Sequence, residues 1–161
     1  MNEVFLIPTI EELEQQASIL PGIHPMEVVT MLRIMQASDH VRDDISEPMR
    51  KKYAVSEGKL RVLIVLRNAE EGVIPSLLAA KVGVSKATIS NMIVRMERDH
   101  LVYTMPDKED KRGKKVVLTE KGKELLARVL PELYLHISRL IGRLSVEEQK
   151  VLASLLAKMV E

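Results

Sequence analysis

Between residues 85 and 115 the chain gathers the side chains best suited to meet a polyanion. Eight bases (Lys86, Arg95, Arg98, Lys108, Lys111, Arg112, Lys114 and Lys115) stand there against five acids. Ammonium and guanidinium groups pair with phosphate, while Lys, Arg, Asn, Ser and Thr can also hydrogen-bond base edges, and a small apolar side chain can meet a thymine methyl. Ser85, Lys86, Ala87, Thr88, Ser90, Asn91 and Arg95 form one such group, and Lys108, Asp110, Lys111, Arg112 and Lys114 form a second. Charge alone leaves two readings open, because a charged stretch also describes an ordinary solvated face.

Other chemistries find little support. No nucleophile motif, metal-ligand run or Gly-rich phosphate loop is present. Asp43-Asp44 and Glu147-Glu148 occupy adjacent positions, which diverge on a helix and cannot clasp one substrate. His24, His40, His100 and His136 form no i, i+4 pair, and there is no Cys. No enzyme, cofactor or metal is therefore expected. The absence of thiols excludes disulfides and suits a reduced, cytoplasmic setting. The longest aliphatic run, Val62 to Leu66, is far below the roughly 20 residues of a membrane span. Met1 to Phe5 lack the basic segment and apolar run of a signal peptide.

The elements that must position these residues can be read from caps and periodicity. The formal charge of +1 hides a division: residues 1–47 carry nine acids and two bases, whereas residues 48–161 carry 22 bases and 14 acids. Only the second part has reason to approach a polyanion. With strong helix formers abundant and seven Gly and seven Pro, the fold is expected to be mainly α, with a small β component. Thr9 opens a capping box for a helix towards Leu20, ended by Pro21-Gly22. A long helix follows from Pro25, with Pro48 as its boundary, and Ser56 caps a buried helix carrying Leu60, Leu63, Ile64 and Leu66.

From Pro75 to Leu101 the pattern reads helix, turn, helix. Leu77, Leu78 and Val82 give the first helix an apolar face, Gly83 allows the turn, and Ser85 caps the second helix. Ile89, Met92, Ile93 and Met96 then fall on one inward face. A DNA-reading helix-turn-helix requires this arrangement, although an ordinary helical hairpin also satisfies it. Leu101 to Met105 and Lys114 to Leu118 read as two strands around the long polar tip from Pro106 to Gly113. Such a tip is longer than chain reversal needs. A basic hairpin directly after a helix-turn-helix makes a winged helix. Apolar positions from Leu125 to about Leu144, with a kink predicted at Pro131, precede a last capping box at Ser145. These terminal helices are too apolar to stand alone, so a two-fold homodimer is expected.

Leu78-Ala79, Val82 to Ser90, Asp107 to Gly113 and Leu118-Thr119-Glu120-Lys121-Gly122 together resemble the multiple antibiotic resistance regulator (MarR) family, over about Val55 to Gly122. The resemblance implies a winged helix-turn-helix (48–120) between N-terminal (1–47) and C-terminal (121–161) dimerisation helices. It implies a regulator, usually a repressor, that binds a pseudo-palindromic operator in double-stranded DNA and is often released by a small aromatic or phenolic ligand. On this footing Ser85, Lys86, Ala87, Thr88, Ser90, Asn91 and Arg95 belong to the recognition helix. Lys108, Asp110, Lys111, Arg112 and Lys114 belong to the wing, with Arg112 entering the minor groove and Asp110 orienting it. Met31, Met35, Arg42, Tyr53 and Arg61 are the corresponding candidates for an effector cleft.

There are departures. His100 stands where the family commonly has Gly, so that turn is expected to differ. Asn91 and Val94 occupy positions that are often charged, so a relative's operator does not transfer. The residues from Met1 to Pro21 resemble the extra N-terminal helix of longer family members. A rival reading, a winged helix turned protein-interaction module, differs in predicting almost no DNA affinity.

Overall fold

The computed structural model describes residues 7–20, 22–107 and 113–160. Along them run α1 (Ile10–Ile19), α2 (Pro25–Tyr53), α3 (Glu57–Arg67), α4 (Pro75–Val82), α5 (Lys86–Arg98), β1 (Val102–Pro106), β2 (Lys114–Leu118), α6 (Glu120–Ile141) and α7 (Val146–Lys158). One unit extends to Ile45 and holds α1 and most of α2; the other starts at Ser46 and holds everything after.

Local chemistry sets most of the helix starts. Thr9 and Glu12 exchange both bonds of a capping box, as do Ser145 and Glu148. Ser56, Ser85 and Thr119 each accept an amide from the first turn of α3, α5 and α6. In the second unit α3 packs on α4, α6 and β2, while α5 packs on α4 and β1. Leu63, Leu78, Ile89, Met96, Val116, Leu126 and Val129 are almost wholly removed from water at the centre of this core.

Several expectations give way to longer-range effects. Pro48 does not bound α2, which continues to Tyr53. A helical Pro sacrifices one hydrogen bond and costs about 3 kcal/mol or more. Here the last turns are held from outside, by burial of Met49 and by Lys52 on Glu132 of α6 at 2.5 Å. Helix α6 contains Pro131, and it ends at Ile141 rather than near Leu144. On α4 the inward residues are Leu78, Ala79 and Val82, leaving Leu77 exposed. Strand β1 is shifted one residue, ending at Pro106, which pairs with Lys114. Val73 adds a short third rung by exchanging two hydrogen bonds with Val116, at 3.0 and 2.9 Å. His100 does not alter the turn after α5. It takes the left-handed conformation a Gly would take, with φ 59°.

Candidate nucleic-acid interface

The α4–α5 pair is built as a rigid corner. Gly83 takes φ 77° and donates to Ala79 O at 2.9 Å, Val84 donates to the same carbonyl at 3.0 Å, and the two helices bend by 105°. An angle of this size is what a helix-turn-helix uses to project its second helix. Ser85 then starts α5 by accepting Thr88 N at 3.1 Å, and its hydroxyl lies 2.8 Å from that of Thr88.

With about 100° between successive residues, Ile89, Met92, Ile93 and Met96 fall on one side of α5. Ile89, Ile93 and Met96 are buried there. The opposite arc carries Lys86, Ala87, Ser90, Asn91, Val94 and Arg95, all exposed. The side chains of Lys86, Asn91 and Arg95 have no hydrogen-bond or ion-pair partner among the described residues, so their donors face outward unspent. The hydroxyls behave differently. Ser85 and Thr88 serve the cap, and Ser90 donates to Lys86 O at 2.9 Å. These three shape the helix start while keeping lone pairs available. Val94 lies mid-arc and 65% exposed. Val94 is not among the candidate contacts expected from the sequence, although its spacing of four from Ser90 and eight from Lys86 puts it on their face.

The base of the wing is fixed on the same unit. Asp107 N donates to Gly113 O at 2.9 Å, and Lys115 Nζ lies 3.3 Å from Asp107 Oδ1. Lys114 is exposed at the start of β2. Lys108, Asp110, Lys111 and Arg112 lie outside the described residues. Thr104 Oγ1 donates to Glu97 Oε1, which ties β1 to α5.

The expected effector residues are dispersed between the two units. Met31, Met35 and Arg42 lie in the first, where the two Met are exposed and Arg42 stands 3.5 Å from Asp39. Tyr53 and Arg61 lie in the second. Arg61 pairs with Glu57 at 2.6 Å. Lys52, with Tyr53 beside it, holds the Glu132 carboxyl below its ordinary value. Tyr53 also lines a surface cavity of about 580 Å³ together with Lys59, Arg98, Asp99, Lys121 and Arg128; Arg61 is not part of that wall. Among the described residues no cluster of His, Cys, Asp or Glu is suited to a metal ion, and no single helix is long and apolar enough to cross a membrane.

Residues 55–114 match the MarR family model. The transcriptional repressor YetL of Bacillus subtilis is 33% identical over 156 residues, covering 96% of this chain and 93% of YetL. Among solved structures, AbsC, a MarR family transcriptional regulator from Streptomyces coelicolor, superposes with a TM-score of 0.74 at 25% identity, over 81% of this chain and 89% of AbsC. Sco3205 from the same organism, solved in complex with DNA, gives a TM-score of 0.79 at 21% identity, over 86% of this chain and 88% of that one. The helix-turn-helix corner, the paired strands and the exposed arc of α5 thus occur on a fold shared with these regulators.

Proposed function

The chain belongs to the MarR family of transcriptional regulators, and from that premise we propose that it is a sequence-specific repressor that binds a pseudo-palindromic operator in double-stranded DNA as a dimer. The observation that carries the reading is the outward arc of α5, where Lys86, Asn91 and Arg95 keep their donors unpaired among the described residues. A helix held by its buried face at a 105° corner can enter the major groove with such an arc leading. Lys86 and Asn91 then meet base edges, Ala87 and Val94 meet thymine methyls, and Arg95 meets backbone. Ser85 presents the amides of the helix start to a phosphate. Lys108, Lys111 and Lys114 supply phosphate contacts from the wing, and Arg112, oriented by Asp110, enters the minor groove.

The terminal helices support two-fold assembly. No side chain of α7 is buried, and Val151, Leu155 and Met159 are more than half exposed. An apolar face of this extent on an otherwise charged chain needs cover. A second copy supplies it, with segments 1–47 and 121–161 as the dimerisation helices. The repressor role is taken over from YetL.

Release by a small aromatic or phenolic ligand belongs to the same proposal, with Met31, Met35, Arg42, Tyr53 and Arg61 as its candidate lining. Because Arg42 and Arg61 are already paired with Asp39 and Glu57, a ligand carboxylate or phenolate would act by replacing those partners. The test is capture of sheared genomic DNA by purified protein, with the Arg112→Ala variant alongside. Enrichment of a few inverted repeats is expected, and the variant should bind them more weakly by about 1 to 3 kcal/mol. No enrichment at low salt would favour a protein-interaction module instead.

A further inference from the structure

The far end of α5 carries a charge arrangement that its own helices do not favour. Asp99 caps the C-terminus of α5, where the helix dipole disfavours an anion, and Lys59 sits in the first turn of α3, where it disfavours a cation. Local preference would place the opposite charge at each position. The two residues nevertheless meet, Lys59 Nζ to Asp99 Oδ2 at 2.6 Å, across 40 residues of sequence. Lys121 of α6 adds a second bond, donating from Nζ to the Asp99 carbonyl at 2.9 Å. Lys59, with Arg98 and Lys121 assisting, holds the Asp99 carboxyl below its ordinary value.

Backbone contacts continue the same attachment. Thr119 Oγ1 donates to His100 O at 2.7 Å, and Thr119 N donates to Leu101 O at 3.1 Å. Gly122 lets α6 approach so closely that a Cβ there would lie 2.2 Å from Leu101 O. By contrast, the side-chain bonds at the leading end of α5, from Ser85, Thr88 and Ser90, are all local to that helix start. The 13 residues of α5 span about 20 Å, so a tilt of about 10° at the cap moves Lys86 by about 3 Å. That displacement abolishes a base-edge hydrogen bond, while flexible contacts to phosphate tolerate it.

We infer that Asp99, clamped between Lys59 and Lys121, is a positioning residue that sets the angle of α5 in the groove and so governs discrimination between operator and other DNA. The inference rests on the reading of α5 as the recognition helix. It ties the aim of that helix to α3 and to the base of α6, through groups that touch no base.

The test compares wild type, Asp99→Asn, Lys59→Met and the double variant on two duplexes: one selected by wild type from a randomised pool, and its scrambled counterpart. The expected result is a loss of about tenfold or more on the selected duplex for each single variant, with binding to the scrambled duplex within about twofold. The double variant should lose no more than either single one, because both changes remove the same ion pair. Equal losses on the two duplexes would mean that Lys59 or Asp99 acts on phosphate or on folding, and would overturn the positioning role. So would unchanged affinity in both single variants, or additive losses in the double. If wild type selects no sequence from the pool, the recognition reading falls and the positioning role falls with it.

Discussion

Gly122 and Gly83 are small for different reasons, and the difference is measurable. At Gly122 the backbone of Leu101 occupies the space a methyl group would take, so Gly122→Ala must push α6 away from the end of α5. A loss of about 3 kcal/mol is expected, at the upper end of overpacking penalties. At Gly83 nothing lies within 4 Å of an added Cβ, and only the left-handed backbone resists it. Gly83→Ala should therefore lose about 1 kcal/mol. Urea unfolding of the two variants gives the order directly; a larger loss at Gly83 would contradict the close approach at Gly122. Asp99 provides a pH signature. Its carboxyl titrates below the ordinary value of 3.8 in the folded chain, so the stability it adds is present above that value and is lost as pH falls through the depressed one. The side chain is 37% exposed, which limits the contribution to under about 1 kcal/mol. Wild type and Asp99→Asn should differ in urea midpoint near neutrality and converge at low pH. A gap that widened on acidification would reverse the sign.

At the level of elements, α5 depends on its cap. Ser85→Ala removes the acceptor of Thr88 N and should destabilise by about 1 kcal/mol, while also loosening the turn that presents Lys86. Thermal melts and operator titrations of this variant should both report losses, and an unchanged melt would remove the cap from the account. Such starts were legible in the sequence because they are local: Ser or Thr three residues before the amide that donates to it, ahead of an apolar periodicity. The inward face of α5 was legible for the same reason. What escaped was decided across the chain. Pro48 reads as a boundary until Met49 is buried and Lys52 meets Glu132. Val73 is a single bridging residue, too short to show any alternation. His100 breaks the left-handed preference for Gly, yet its carbonyl is held by Thr119 and the following residue is tied to Met96. The clamp at Asp99 was illegible because both residues stand against their own helix dipoles. The effector residues suggested by resemblance fall in both units, and sequence order carries no distance between them.

For the whole molecule, the uncovered face of α7 makes assembly the expectation. Val151 and Leu155 are one turn apart and well exposed in the single chain, so Val151→Glu with Leu155→Glu should leave each chain folded and abolish the dimer. Sedimentation velocity should show a two-chain species for wild type and a one-chain species for the variant; two monomeric samples would contradict the assembly. Binding to an inverted repeat should weaken with it, because two half-sites then no longer share one complex. On the proposed reading, the α5 arc and the wing hold this fold on DNA at a chosen sequence. The most direct test is the salt dependence of affinity for the selected duplex beside the scrambled one, between roughly 50 and 200 mM salt. Steep loss is expected on both, with a slope near −0.9 for each phosphate neutralised, and the selected duplex should stay at least about a thousandfold tighter throughout. A flat slope, or two duplexes bound alike, would contradict that reading.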